Sequence, residues 1–323
     1  MLTSIFEKNC VIGLSPMDDI TDFPFRQLSK EFGAGLLITE FIASEALNRE
    51  AAKSLRKMDF TPSQRPIGIQ IFGANEDELL RCLDVVEERQ PDFVDINWGC
   101  PVRKVAGKGA GSGILRDIPR MLSLTSAIVR HSHLPVTVKT RVGYDELDKP
   151  IVSLAEQLQD VGIAALSIHG RTKTQMYSGR ADWSLIARVK DNPRITIPIL
   201  GNGDIATASQ AVEAHRLYGV DGILIGRAAI GNPWIFEQTK RAFDGLPERE
   251  VTLSERIEVC RRHLLSTIEF KGERTAIFEM RRQYGGYFKG LPGFKQHRIA
   301  LCDATTQSQV LEILDSLLSI SET

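Results

Sequence analysis

The sequence predicts an α/β fold, a (β/α)8 TIM barrel followed by a smaller all-α helical C-terminal domain, on three observations. Eight short apolar runs alternate with stretches long enough for amphipathic helices, all before residue 232. The runs are continuously apolar rather than alternating, which suits parallel strands buried on both faces. Beyond Asn232 the strand signals stop, and Leu, Ile and Phe recur at threes and fours, the spacing of one helical face.

Taken in order, the expected strands are Val11–Leu14, Gly35–Thr39, Ile67–Ile71, Phe93–Asn97, Val136–Thr140, Ala165–His169, Ile197–Gly201 and Gly222–Ile225. A doubly wound sheet is the alternative, but eight evenly paced units fit a closed barrel more simply. Asp244–Pro247 reads as a linker, so the expected division is a barrel over 1–243 and a helical domain over 244–323. That second part contains "LSERIEVCRRHLLSTIEF", "TAIFEMRRQYGGYFKGLPG" and "QSQVLEILDSLLSI".

The 42% apolar and 25% charged composition is that of an ordinary globular protein. No run of ~18 apolar residues appears, so no membrane span is expected, and the N-terminal stretch lacks the apolar core of a signal peptide. The five cysteines (Cys10, Cys82, Cys100, Cys260, Cys302) are odd in number and form no C-x-x-C. Neither a metal site nor a disulfide framework is indicated, and a cytoplasmic location is expected. Net charge is −1, yet Lys240 to Arg298 holds 13 Lys/Arg against 8 Asp/Glu, so this segment is +5 and the remainder −6. Such asymmetry suits a basic module appended to a catalytic body.

In TIM barrels the working residues come from the carboxyl ends of the strands. Those ends deliver Pro16, Met17 and Asp18 after the first strand, Gln70 on the third, and Asn97 with Cys100 just beyond on the fourth. Lys139 and Arg141 lie on the fifth, and His169 closes the sixth. Asn202, Gly203 and Asp204 follow the seventh, and Gly226 and Arg227 the eighth. Glycine turns after the last two strands are where barrels surround a phosphate with backbone N–H groups; read blandly, they only make tight turns. Phosphate binding alone leaves sugar-phosphate isomerases and flavin enzymes undecided.

Gln70, Lys139 and His169 favour a flavin, whose ring needs an amide at its pyrimidine edge and a cation near N1/O2. A lysine inside "LPVTVKTRVG" is costly unless it is paired, with a carboxylate or with such a ligand. Cys100 is either a structural cysteine or a thiol able to act as a general acid, and its place beside Gly and Pro at a strand end favours the second. "AGKGAGSG" is not a P-loop, because Lys108 is followed by Gly109 rather than Ser or Thr.

Six stretches in unbroken order, "LSPMDDITDFPFR", "DINWGCPVRKVAGKGAGSGIL", "VTVKTRVGYDE", "IHGRTKTQMYSGRADW", "GNGDI" and "IGRAAIGNPWIF", resemble the tRNA-dihydrouridine synthases, from about Leu14 to Phe236. Ser15, Asp18 and Gly113 depart from the commoner residues of that pattern without removing a reactive group. The resemblance implies a flavin-dependent oxidoreductase with bound FMN, reduced by NADPH (NADH being the alternative), and uridine in tRNA as substrate. It implies that Cys100 protonates C5 of the uracil and that Val102–Gly113 forms a lid. Pro16, Met17, Asp18, Gln70, Lys139, His169, Asn202, Gly203, Asp204, Gly226 and Arg227 would surround the FMN. Asn97, Arg141 and Tyr177 would hold the uracil, which must be swung out of the folded RNA to reach the barrel mouth. The basic tail would bind RNA backbone, with Arg261, Arg262, Arg281, Arg282, Lys289 and Lys295 as candidates. A monomer and a D-loop uridine are expected. Two rivals stand beside this reading: a dihydroorotate dehydrogenase-like flavin barrel, and an RNA-binding or chaperone module that has lost turnover.

Overall fold

The computed structural model describes residues 3–6, 9–47 and 52–318. Its strands are β1 (Val11–Leu14), β2 (Leu37–Ile38), β3 (Ile42–Ala43), β4 (Ile67–Phe72), β5 (Phe93–Trp98), β6 (Val136–Arg141), β7 (Ala165–His169), β8 (Ile199–Asn202) and β9 (Gly222–Ile225). They form one parallel sheet in the order β1-β9-β8-β7-β6-β5-β4-β2, with β3 also pairing with β4. A parallel bridge between Gly13 and Leu36 closes the ring, and the Leu14 N–H donates to the Leu36 carbonyl at 3.0 Å. The predicted (β/α)8 barrel is therefore the fold adopted. Parallel neighbours need crossovers, and amphipathic helices outside the barrel supply them.

Two differences from the sequence reading concern short elements. The second strand was expected over Gly35–Thr39 but pairs as a strand only over Leu37–Ile38, with Leu36 held by the bridge to Gly13. β3 was not expected at all, because two residues leave no periodicity to read. Elsewhere the strands begin and end within two residues of the sequence reading.

Register decides what reaches the rim. Asn97 lies beside Lys139, Arg141 beside His169, His169 beside Asn202, and Leu14 beside Ile225. All strands run the same way, so these residues gather at one mouth. The closeness of this packing shows at Gly68 of β4, where a Cβ would lie 2.1 Å from the Phe93 ring. Gly68→Ala is expected to cost ~1–3 kcal/mol of stability through overpacking. A denaturation midpoint equal to wild type would show that the Phe93 ring can move aside.

After the helix Trp234–Phe243 the chain is helical, with its longest helix over Leu253–Lys271, where the Thr252 side chain accepts from the Glu255 N–H. These helices enclose a second apolar cluster built on Ile257, Cys260, Leu264, Met280, Tyr284 and Leu301. Leu28 and Trp234 of the barrel belong to the same cluster. Phe23 stacks on Phe270 at 5.1 Å and Phe25 on His263 at 5.3 Å. Lys271 completes the joint by pairing with Asp22, itself buried, at 2.7 Å. No described helix is long and apolar enough to cross a membrane.

Candidate active site

The carboxyl mouth of the barrel opens into a cavity of about 1260 Å³, walled on its outer side by the C-terminal helices through Arg282, Gly286, Tyr287 and Lys289. Its charged lining comprises seven Lys/Arg and three Asp/Glu among the described residues (Lys104, Lys139, Arg141, Arg227, Arg256, Arg282 and Lys289 against Asp18, Asp204 and Glu248). Such a cavity favours an anionic occupant.

Cys100 sits on one wall, 8% exposed. Asn97, at the end of β5, holds the turn: its Oδ1 accepts from the N–H groups of Gly99 at 2.9 Å and Cys100 at 2.8 Å. Ser112 clamps the other side, donating to the Cys100 carbonyl from its N–H at 3.0 Å and its hydroxyl at 2.9 Å. Burial pushes the Cys100 thiol above its ordinary range, opposed by the Val102 N–H and the Arg141 charge. At neutral pH the sulfur therefore carries a proton, the state a general acid requires.

Lys139 faces the same cavity from β6, its Nζ donating to Asn202 Oδ1 at 3.2 Å. Burial, and then the neighbouring Arg141, lower its pKa to about 8. Its hydrogen-bond partner is a neutral amide, so the wall holds a buried cation that an anionic ligand would neutralise. His169 is driven well below its ordinary value by burial and by Arg141 and Lys139, so its ring is neutral at physiological pH. Gly203 carries a φ of 128°, and a Cβ there would lie 2.6 Å from Ala181 and 3.2 Å from the His169 ring. On Gly226 a Cβ would point at Met17 and Ser15, both 3.7 Å away. Gly203 therefore leaves no room for a side chain, whereas a Cβ on Gly226 would make only ordinary van der Waals contacts.

Most of the residues singled out in the sequence line this cavity: Pro16, Met17, Asp18, Asn97, Cys100, Lys139, Arg141, His169, Tyr177, Asn202, Gly203, Asp204, Gly226 and Arg227. Several are engaged differently from the sequence reading. Gln70 is fully buried behind Asn97, accepting from its Nδ2 at 2.8 Å and donating to Asp95 at 2.6 Å. Asp18 pairs with Lys57. Asp204 accepts from Arg171 at 2.7 Å and from Arg227 at 3.0 Å, so it positions two guanidinium groups rather than meeting an anion itself. Arg141 donates from Nε to the Gly99 carbonyl at 2.8 Å and from Nη1 to the Thr172 and Met176 carbonyls at 2.9 and 3.0 Å. It thus braces the Cys100 turn against the loop carrying Tyr177. The Tyr177 ring is exposed at the rim, between the guanidinium groups of Arg141 at 6.0 Å and Arg227 at 5.3 Å.

The stretch expected as one lid divides in two. Val102–Gly109 is largely exposed around a short helix, Arg103–Ala106, whereas Ala110–Leu115 is buried. A Cβ on Gly113 would lie 2.1 Å from the Ala106 carbonyl oxygen, so this glycine permits close packing rather than a hinge. The basic tail divides as well. Arg261 pairs with Asp315, Arg262 with Glu31, and Arg282 with Asp19, the last at 3.6 Å. Arg281 donates to the Ala304 carbonyl at 3.3 Å and lies over Phe278. Lys289 and Lys295 are exposed and make no ion pair among the described residues. Sequence reasoning set Arg171 at the end of the sixth strand without giving it a role, and missed Asp95. Asp95 was visible as the lone charge within "FVDINW", whereas the link from Arg171 to Asp204 spans 33 residues and leaves no local trace.

Residues 13–321 match the family model described as dihydrouridine synthase (Dus). A probable tRNA-dihydrouridine synthase of Rickettsia conorii is 34% identical over 297 residues, 91% of this chain and 89% of the relative. The tRNA-dihydrouridine synthase B of Pseudomonas aeruginosa is 35% identical over 288 residues, 88% of this chain and 86% of the relative. Among solved structures, the old yellow enzyme homologue from Zymomonas mobilis aligns with a TM-score of 0.50 at 13% identity, over 77% of this chain and 91% of that one, a likeness of fold. With a family model matched over nearly its whole length and relatives about one-third identical across most of theirs, the chain belongs to the dihydrouridine synthase family.

Proposed function

We propose that the protein is an FMN-dependent, NADPH-consuming tRNA-dihydrouridine synthase that saturates the C5=C6 bond of uridines in tRNA, with Cys100 as the proton donor to C5. The observation that carries this reading is a protonated, buried thiol and a buried lysine on the walls of one cation-rich cavity. FMN, reduced by NADPH, would supply the hydride that adds to C6. Cys100 gives its proton to C5 and recovers one from solvent, so two electrons and two hydrogens enter the base. Lys139 and neutral His169 hold the cofactor ring, Gln70 supports it from behind Asn97, and Pro16, Met17 and Asp18 border it. The Asn202–Asp204 and Gly226–Arg227 turns take its phosphate. Asn97, Arg141 and Tyr177 flank the base, and Val102–Gly109 covers it and keeps water out.

Residues 1–243 act in this reading as the catalytic barrel and 244–323 as the tRNA-binding part. RNA contacts must offset the few kcal/mol needed to unstack a uridine. Lys289, at the cavity rim, and Lys295 are free to meet phosphates, whereas Arg261 and Arg262 are committed to ion pairs. Lys289→Ala with Lys295→Ala is expected to weaken tRNA binding and reduce the slope of log K against log salt by ~1–2. A slope unchanged from wild type would remove both lysines from the interface.

The decisive experiment maps dihydrouridine in tRNA from cells lacking the gene, then adds back the purified protein with FMN and NADPH. Loss and restoration at one position, expected in the D-loop, would establish the reaction and its target together. Full dihydrouridine at every position, with no second synthase present, would overturn the proposal in favour of a flavin barrel for small pyrimidines. A flavin-loaded protein that binds tRNA and never reduces it would favour the RNA-binding module.

A further inference from the structure

We propose that Asp95 is a positioning residue whose carboxylate sets the polarity of a buried hydrogen-bond chain and thereby holds the Cys100 turn in its working conformation. This rests on the reading of Cys100 as proton donor. Asp95 is fully buried on β5, with Gln70 of β4 and Thr137 of β6 as its cross-strand neighbours. Gln70 donates from Nε2 to Asp95 Oδ2 at 2.6 Å, and the Thr137 hydroxyl donates to the other oxygen. Asn97 donates from Nδ2 to Gln70 Oε1 at 2.8 Å. The free end of the Asn97 amide, Oδ1, then accepts from the Gly99 and Cys100 N–H groups at 2.9 and 2.8 Å.

The direction of every bond in this chain follows from its ends. An ionised carboxylate only accepts, so Gln70 must turn its NH2 toward Asp95 and its carbonyl toward Asn97. Asn97 must then turn its NH2 toward Gln70, which leaves its carbonyl for the turn. At the far end two backbone N–H groups can only donate, and they demand the same orientation. Flipping either amide sets donor against donor at a buried site. Burial raises the Asp95 carboxyl to about 6, opposed by the Gln70 and Thr137 hydrogen bonds, so it is still largely ionised at neutral pH. A neutral amide at position 95 would fill the same space at a lower cost of burial. It would leave the polarity to be set from the turn's end alone, because an amide can donate as well as accept.

Asp95→Asn tests this through a readout independent of turnover, the rate at which iodoacetamide alkylates Cys100 in the flavin-loaded protein. The variant should alkylate several-fold faster as the turn loosens, and its kcat at saturating tRNA should fall ~100-fold with KM little changed. In an Asn97→Ala background, Asp95→Asn should add no further loss, since it acts through Asn97. The exchange Asp95→Asn with Asn97→Asp is the sharper test. It moves the acceptor-only group to the other end of the chain, so Gln70 can flip and the turn regains its acceptor. Slow alkylation should return in that double variant, even if Asp95→Asn alone does not fold. A double variant that stays fast or fails to fold overturns the proposal, as does wild-type alkylation in Asp95→Asn. Restored slow alkylation in a protein whose wild type never reduces tRNA would sink the role of Cys100 while leaving this wiring intact.

Discussion

Cys100→Ala is expected to keep its flavin and lose tRNA reduction by ~10²–10⁴-fold, the usual worth of a positioned general acid. The thiol makes no ion pair that the fold needs, and the turn around it is held by backbone groups of residues 99 and 100, which alanine retains. The loss should fall on single-turnover oxidation of the reduced, tRNA-bound enzyme, with NADPH-driven reduction of the flavin near wild type. Stopped-flow absorbance separates the two half-reactions. Rapid oxidation by tRNA in Cys100→Ala would remove the thiol from the chemistry and transfer the proton to another donor at the mouth.

Lys139→Met is expected to move stability and flavin binding in opposite directions. The folded protein holds this ammonium near 8 against the ordinary 10.5. Between those values the unfolded chain binds more protons, so stability rises as pH increases from about 8 to 10.5, and the cost is present in full below 8. At neutral pH that cost is about 3 kcal/mol, less what Asn202 loses when its partner goes. The flavin-free variant should therefore unfold at higher denaturant than wild type at pH 7, and its stability should be flatter above pH 8. Flavin affinity should fall ~10–100-fold, the worth of one charge-assisted hydrogen bond. A variant both less stable and equally good at binding flavin would show that Lys139 belongs to the core rather than the site.

The architecture was legible because a barrel strand buried on both faces leaves an unbroken apolar run, and residues just past each run must gather at one mouth. Cys100, Lys139 and the Asn202–Asp204 turn could be placed on that argument without coordinates. What escaped was pairing between ends. Nothing around Arg171 marks it as the partner of Asp204, and nothing in "CRRHLL" says that both arginines are spent on Asp315 and Glu31. Gln70 was placed on the right strand, but the sequence does not reveal that Asp95 and Asn97 hydrogen-bond its amide. Glycines were ambiguous for a related reason. Close approach at Gly113 and conformational freedom at Gly109, with a φ of 74°, use the same residue type.

Part of the outer wall of the cavity is built from residues beyond 280, while the last strand of the barrel ends at Ile225. On the ribosome, at ~5–20 residues per second, the barrel is thus complete for several seconds before the last wall can dock. During that interval Leu28 and Trp234 lack their last-made partners in the second apolar cluster, and Arg282, Tyr287 and Lys289 do not yet line the mouth. The order of synthesis therefore leaves the mouth open on that side until the last helices are made.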